Sequence, residues 1–347
     1  MPPLRFGVAG LEFGAAVHLP ALLSLPDVEV AAIAGRRPDA VRAVAARFGV
    51  ATVADSWQAL LEHELDAVTF ALPPEANELA CAAAAAKGIA VLSEKPLARS
   101  AEAARRLQSL ASGIPNAVDF QFAELEGFRR LSDRLGSKEL GALRHVQITW
   151  LVESYAQRHA AWSWKTDRRR GGGVTGALGS HLFYLLEWLL GEIVELRART
   201  SSAATAQFTP DGGEPAEDRV DLWATHASGV TSTATYGNAA PAGPGHRWEC
   251  ICEQGTITLQ NTTTDYMAGF ELFVHSRANR RVDFKDSPMP GVDGRLAPFR
   301  ALAQRFATTV RTGARMHPDF ADGARVQELM EQVSDSIGDA GGTVHIR

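Results

Sequence analysis

The chain has 347 residues, enough for two domains with separate hydrophobic cores, and is too long for a small disulfide-stabilised scaffold. Its 40 acidic and 35 basic side chains give a formal net charge of -5, which lacks the basic field typical of nucleic-acid binding. Charges, prolines and glycines interrupt every apolar run, and the three cysteines occur without a secretory signal, so we expect no membrane partner and a cytoplasmic location.

The first 120 residues alternate short β-rich runs with alanine-rich helical stretches. This pattern is typical of a parallel sheet covered by helices. Helices are expected at 38–48 and 75–87, because Gly49 and Gly88 follow them as stop signals. Strands are expected at 5–9, 28–34, 67–72, 89–93 and 117–122. We therefore predict an α/β dinucleotide-binding domain of Rossmann type over residues 1–120.

The composition changes after residue 120, and six of the seven tryptophans lie beyond it. Strand-like segments such as 143–152 and 220–225 follow one another without the regular helical alternation, which favours a mostly antiparallel sheet. Amphipathic helices are expected at 297–311 and 322–337. Residues 121–347 are therefore predicted to form an α+β domain for substrate binding and oligomerisation.

A glycine-containing turn follows the first strand, with the sequence Gly10-Leu11-Glu12-Phe13-Gly14-Ala15. Gly10 suits a tight turn, and Gly14 with Ala15 allows the next helix to pack closely while its amides face a pyrophosphate. Glu12 replaces the middle glycine of the usual motif, and its carboxylate would repel phosphate. The motif predicts a nucleotide site, with an ordinary strand-to-helix turn as the alternative.

Two arginines, Arg36 and Arg37, follow the second strand, where NAD-specific folds usually place an acid. Guanidinium groups hold phosphate bidentately, so these residues favour the 2'-phosphate of NADP(H), with NAD(H) as a second option. The alternative is a solvated basic turn.

The sequence Glu94-Lys95-Pro96 follows the fifth predicted strand, at the edge of the sheet where open α/β folds bind ligands. Lys95 can donate to a substrate oxygen, Glu94 can orient it, and Pro96 can fix the turn, including as a cis peptide. A surface ion pair is the alternative.

In the second half, His181 opens an apolar helix after a run of glycines and can exchange a proton near neutral pH. Trp164 and Lys165 offer the aromatic wall and polar group typical of sugar-sized sites. Structural roles in the core are the alternatives for His181 and Trp164. Cys250 and Cys252 lack a second ligand pair, so we expect no metal.

Several motifs together resemble the Gfo/Idh/MocA oxidoreductase family over nearly the whole chain. They are the turn at 10–15, Leu72-Pro73-Pro74, Glu94-Lys95-Pro96-Leu97-Ala98, and Gly171-Gly172-Gly173 leading to Gly179-x-His181. The resemblance implies a Rossmann domain, a second domain whose open sheet forms homodimer or homotetramer contacts, a nicotinamide cofactor, and sugar, inositol or polyol substrates.

By position, Lys95 matches the catalytic lysine of this family and His181 its catalytic histidine, and both are also expected to contact the substrate, with Trp164 and Lys165. Ala177 and Asn77 depart from the family's frequent aspartate and histidine. The residues expected to bind the cofactor are Gly10, Glu12, Phe13, Gly14, Ala15, Arg36, Arg37, Leu72, Pro73, Pro74, Asn77, Glu94, Lys95 and Pro96.

The sequence therefore predicts an NAD(P)-dependent dehydrogenase or reductase that moves hydride between nicotinamide and a carbon bearing an alcohol or carbonyl. Two alternatives remain open: a non-catalytic dinucleotide-binding regulator of the same fold, and an NAD-dependent glycoside hydrolase. Glu12 and Ala177 favour the regulator, whereas Lys95 and His181 oppose it.

Overall fold

The computed structural model describes residues 2–289, 291–335, 344 and 345. The chain divides into two compact units, Met1–Glu124 with Arg295–Glu328, and Leu125–Gly294 with Leu329–Arg347. The sequence analysis placed its boundary at residue 120 and assigned everything after it to the second domain. In the structure, residues 295–328 belong instead to the first unit.

The secondary structure follows the predicted succession closely. The strands are β1 Leu4–Ala9, β2 Val28–Ala34, β3 Thr52–Ala54, β4 Ala67–Phe70, β5 Ala90–Ser93, β6 Asn116–Val118, β7 Leu143–Leu151, β8 Ile193–Ser201, β9 Arg219–His226, β10 Thr231–Gly237, β11 Gly245–Cys252, β12 Gly255–Asn261, β13 Glu271–Ser276, β14 Arg280–Lys285 and β15 Val344–His345. The helices are α1 Leu19–Leu23, α2 Pro38–Phe48, α3 Trp57–Leu60, α4 Pro74–Ala86, α5 Ala101–Leu110, α6 Glu126–Ser137, α7 Tyr155–Arg158, α8 Ser180–Leu190, α9 Leu296–Thr312 and α10 Phe320–Asp335.

The sheet of the first unit is parallel throughout, with strand order β3-β2-β1-β4-β5-β6. This order confirms the predicted Rossmann architecture, and it reverses direction between β1 and β4. The strand predicted at 117–122 was too long, because β6 ends at Val118 and residues 121–124 form a 3₁₀ turn.

Helix α9 completes the core of the first unit. Its buried side chains Phe299, Leu302 and Phe306 join the same hydrophobic cluster as Phe6 of β1. The Phe6 and Phe306 rings meet edge to face, with centroids 6.1 Å apart. Phe306 therefore contributes to the core of the first sheet, although it lies 300 residues after Phe6 in the sequence.

The sheet of the second unit has the order β14-β13-β12-β11-β7-β10-β9-β8-β15 and is antiparallel except where β10 lies parallel to β7. Alternate residues such as Ile148, Trp150 and Trp248 are buried, as expected for a sheet covered on one face. Most of α8 is buried, in keeping with its apolar sequence. The predicted fold class is confirmed. No helix in the described ranges is long and apolar enough to cross a membrane.

Candidate functional site

Loops from five parallel strands meet at one edge of the first sheet. Parallel strands end at the same edge, so Gly10 after β1, Arg36 after β2, Leu72 after β4, Lys95 after β5 and Asp119 after β6 lie on the same side of the sheet. Ligands of open α/β sheets bind at this edge, beside the point where the strand order reverses. Here that point lies between β1 and β4.

Gly10 makes the tight turn that the sequence predicted. Its φ is +124°, a conformation that favours glycine, and a Cβ there would lie 2.3 Å from the Ala71 carbonyl oxygen. Gly14 is buried, and a Cβ on it would contact the Ala71 side chain at 3.3 Å. The turn therefore passes close against the end of β4, as a nucleotide-binding turn requires.

The segment after this turn differs from the regular helix that was expected. Residues Gly14–His18 form a wider π-helical turn before the short helix α1. Glu12 is exposed, and its backbone carbonyl accepts a hydrogen bond from the Ala16 amide at 3.0 Å. Ala15 is half-buried, and the Phe13 ring lies under the Arg295 guanidinium, 5.3 Å from its centroid. The carboxylate of Glu12 therefore reaches solvent, and the missing glycine does not prevent the turn.

Arg36 and Arg37 are both exposed at the start of α2. Within the described residues neither side chain makes an ion pair, whereas Arg42 in the same helix is paired with Asp39 at 2.5 Å. Both guanidinium groups are therefore available to an anionic ligand.

The loop after β4 leads into α4 through Pro73, which is exposed, and Pro74, which is buried; Leu72 before them is half-buried. Asn77 is buried and donates from Nδ2 to the Ser93 hydroxyl at 2.8 Å. Its Oδ1 accepts no hydrogen bond from the described residues. A buried amide oxygen in this state is suited to a donor group on a ligand.

Glu94, Lys95 and Pro96 are half-buried at the end of β5, and the Lys95–Pro96 bond is cis. The Glu94 Oε2 accepts a hydrogen bond from the Lys95 backbone amide at 3.1 Å. The Ser93 hydroxyl donates to the Glu94 carbonyl at 2.8 Å. Two side-chain hydrogen bonds thus hold the peptide group between Glu94 and Lys95.

A buried cluster lies behind Glu94, and the sequence analysis missed it. The Nε2 of His18 is 3.2 Å from Glu94 Oε1 and 3.7 Å from Asp119 Oδ2, and the side chains of His18 and Asp119 are fully buried. The signal that could have revealed it is a histidine and an aspartate in otherwise apolar runs, at 17–22 and 117–120.

Each group of this cluster changes the pKa of the other two. Burial, together with the charge of Glu94, raises the pKa of Asp119 to about 7. Burial opposes the charged form of His18, but hydrogen bonds to Asp119 and Glu94 outweigh it and raise the His18 pKa. Burial likewise acts against ionised Glu94, yet the hydrogen bond from His18 prevails and lowers the Glu94 pKa.

In the second unit, His181 is buried at the start of α8. It follows a π-helical turn, Thr175–Gly179, whose first amide donates to Glu217 Oε1 at 2.9 Å. A Cβ on Gly173 would lie 2.3 Å from the same oxygen. Glu217, which no sequence pattern singled out, therefore holds the first residue of the turn that precedes His181.

The segment with Trp164 and Lys165 packs against the same glycine run. A Cβ on Gly172 would lie 2.4 Å from the Trp164 carbonyl oxygen, and the Gly173 amide donates to the Lys165 carbonyl at 3.0 Å. The exposed Lys165 ammonium lies 5.7 Å from the centroid of the Trp164 ring. The structure therefore brings Trp164 and Lys165 to the turn that leads into the His181 segment.

Family comparisons match both halves of the chain. The model described as "Oxidoreductase family, NAD-binding Rossmann fold" of GFO/IDH/MocA matches residues 4–119, and the GFO/IDH/MocA C-terminal domain model matches residues 128–258.

Individual proteins resemble the chain over most of its length. An uncharacterised oxidoreductase of Synechocystis sp. is 32% identical, with 95% of this chain and 93% of that protein covered. Levoglucosan dehydrogenase of Pseudarthrobacter phenanthrenivorans is 23% identical, with 88% and 86% covered.

Solved structures share the fold. A levoglucosan dehydrogenase in complex with NADH and L-sorbose gives a TM-score of 0.87 at 20% identity, with both chains fully covered. A 3-ketoreductase from Actinomadura kijaniata with NADP and TDP-benzene gives 0.77 at 24% identity, covering 96% of this chain and 98% of that one.

Proposed function

Because the chain belongs to the Gfo/Idh/MocA oxidoreductase family, we propose that it moves hydride between a nicotinamide dinucleotide, with NADP(H) preferred, and a sugar, inositol or related polyol or carbonyl substrate. The chain is an oxidoreductase with an NAD-binding Rossmann domain. The observation that carries the finer proposal is the position of Lys95 at the carboxyl end of β5, on the same sheet edge as the Gly10 turn. Relatives named as dehydrogenases and reductases of sugars support the substrate class.

The residues at this edge fit a dinucleotide. The Gly10 turn leaves no space for a side chain beside Ala71, Arg36 and Arg37 lack ion pairs within the described residues, and Asn77 keeps a buried oxygen without a donor. We assign the pyrophosphate to the backbone of residues 10–15 and the 2'-phosphate to the two arginines. When bound, the nicotinamide supplies or accepts the hydride.

The protein's own contribution is to hold the substrate and to handle charge and protons. Lys95 is assigned to donate a hydrogen bond to the substrate oxygen and to stabilise the negative charge that develops there. His181 is assigned to exchange the hydroxyl proton. Proton transfer by a positioned side chain typically contributes ~100 to 10,000-fold to the rate.

The regulator alternative was favoured by Glu12 and Ala177. The turn forms without the middle glycine, so Glu12 does not prevent the nucleotide site from folding, but its exposed carboxylate still opposes a bound phosphate. Ala177 and Asn77 also depart from the family pattern, and turnover decides between the two functions.

We also propose a homodimer or homotetramer that uses the open face of the second sheet. Residues of β10 that face away from the buried Tyr236, such as Thr233 and Thr235, are only partly exposed and carry no charge. Thr233→Arg should therefore lower the molar mass measured by light scattering. The variant should still show a cooperative melting transition, as a folded monomer does.

The activity test is a panel of sugars, inositols and polyols with NADP+ and NAD+, followed through the absorbance of the reduced nicotinamide. Lys95→Met and His181→Asn should each lower kcat strongly while the fold is retained. Lys87→Met and His159→Asn, which change exposed residues of the same type in the same units, serve as controls.

Full activity of either site variant would end its assignment. Dinucleotide binding without turnover on any substrate would favour the regulator, and product formation without net cofactor reduction would favour the glycoside hydrolase.

A further inference from the structure

The cluster of His18, Glu94 and Asp119 joins three segments that are far apart in sequence. His18 precedes α1, Glu94 follows β5, and Asp119 follows β6. Their hydrogen-bonding atoms all lie within 4.8 Å of one another. Three ionisable groups therefore meet in a largely buried place, where a charge is costly unless it is paired.

The imidazole ring of His18 is held in one orientation. Its Nδ1 lies 2.6 Å from the buried Thr69 hydroxyl, while Nε2 faces the two carboxylates. The Phe299 ring stacks on it with centroids 4.0 Å apart and an angle of 9°, and Phe13 meets it edge-on at 5.5 Å. A ring fixed from three sides presents the same nitrogen to the carboxylates in every protonation state.

The groups that face the cluster come from every neighbouring element. From β4 comes Thr69, from the segment after β6 comes Gln121, whose Nε2 is 3.4 Å from Asp119 Oδ2, and from α9 comes the uncharged Phe299. Lys95 is the cation whose charge acts on Glu94. Apart from Thr69 and Gln121, the two carboxylates and the imidazole therefore face mainly one another.

Glu94 connects this cluster to Lys95. Its Oε1 faces His18, while its Oε2 accepts the hydrogen bond from the Lys95 amide. A change of charge at His18 or Asp119 therefore changes the electrostatic potential at Glu94, the residue next to Lys95. The effect is large because buried charges are poorly screened.

We propose that His18, Glu94 and Asp119 form a buried proton-sharing centre in which His18 and Asp119 are positioning residues: they hold Glu94, and the negative charge of the centre sets how strongly the Lys95 ammonium holds its proton. This role deepens the proposed function, because Lys95 is the residue assigned to the substrate oxygen. The directions of the three pKa shifts agree with it, since the centre gains negative charge as Asp119 ionises near neutral pH.

The test uses the protein without cofactor or substrate, so it does not depend on the proposed reaction. Imidazole NMR follows the titration of His18, and trace acetylation of Lys95 with acetic anhydride, read by mass spectrometry across pH, follows its ammonium group. Asp119→Asn removes one negative charge with little change in shape. Asp55→Asn, which alters an exposed carboxylate of the same unit, is the matched control.

We expect His18 in the unmodified protein to titrate above the ordinary imidazole value, and Asp119→Asn to lower that midpoint. At a pH above about 7, where Asp119 is ionised, loss of its negative charge should also make Lys95 less basic, so acetylation of Lys95 should rise about fivefold relative to Asp55→Asn. Equal acetylation profiles in the two variants would overturn the proposal.

If Asp119→Asn fails to fold, the NMR titration of His18 in the unmodified protein still tests the proposal. A midpoint at or below the ordinary value would refute it. Stoichiometric zinc in the purified protein that suppresses the His18 titration would also overturn it, because the cluster would then be a metal site.

Discussion

Replacing Arg36 and Arg37 with alanine should erase most of a preference for NADPH over NADH. Both side chains are exposed at the end of β2 and make no ion pair within the described residues, so their removal leaves no buried partner behind. A charge-assisted hydrogen bond to phosphate contributes about 1.5 to 3 kcal/mol. Because both arginines are solvent-screened, we take the lower end for each, which is about tenfold in affinity per arginine and roughly 100-fold for the pair.

The assay is a fluorescence titration of both reduced cofactors with the unmodified protein, the two single variants and the double variant. Arg42→Ala is the matched control, because Arg42 lies one turn further along α2 and already pairs with Asp39. The NADPH affinity should fall about 100-fold in the double variant while the NADH affinity changes little. The difference should shrink with added salt, and the melting temperature should stay the same.

Two results would refute this reasoning. Equal affinity of the unmodified protein for NADPH and NADH would show that the arginines form only a solvated turn. A double variant that loses affinity for both cofactors equally would place the arginines on the shared part of the dinucleotide instead of the 2'-phosphate.

Three further predictions follow from the first unit. Gly10→Ala should lower the melting temperature and abolish measurable dinucleotide binding, because its Cβ would lie 2.3 Å from the Ala71 carbonyl oxygen; unchanged binding in a titration would contradict this reading of the turn. Glu12→Gly should tighten dinucleotide binding by about fivefold at low salt and less at high salt, since the exposed carboxylate repels phosphate through a high dielectric; weaker binding would mean that Glu12 organises the turn. The free energy of unfolding should fall as the pH rises from about 4 to about 7, because a raised pKa of Asp119 means that the folded chain binds this proton more tightly than the unfolded chain does. The raised pKa of His18 adds a loss in the same direction above its ordinary value. Urea titrations across this pH range should show a slope up to about 1.4 kcal/mol per pH unit for one proton, and Asp119→Asn should flatten it whereas Asp55→Asn should not.

Local sequence patterns were sufficient for the elements and for the loops at the edge of the first sheet. The β2 strand and the α2 helix have the predicted bounds, since alternation, an N-terminal proline and a terminal glycine are all local signals. The sequence was also sufficient to place the candidate residues after β1, β2, β4 and β5 at one edge of the sheet. Parallel strands bring the loops that follow them to the same edge whatever the details of packing.

Tertiary structure decided what depends on contacts between distant segments. The apolar face of α9 was visible in the sequence, but which core it enters was fixed by Phe299 and Phe306 packing with the first sheet. His18 and Asp119 each stand in an apolar run, and only the fold brings them to Glu94, 76 residues after His18. Burial and charge pairing arise when such segments meet, so the pKa shifts of His18, Glu94 and Asp119 are absent from any single stretch of sequence.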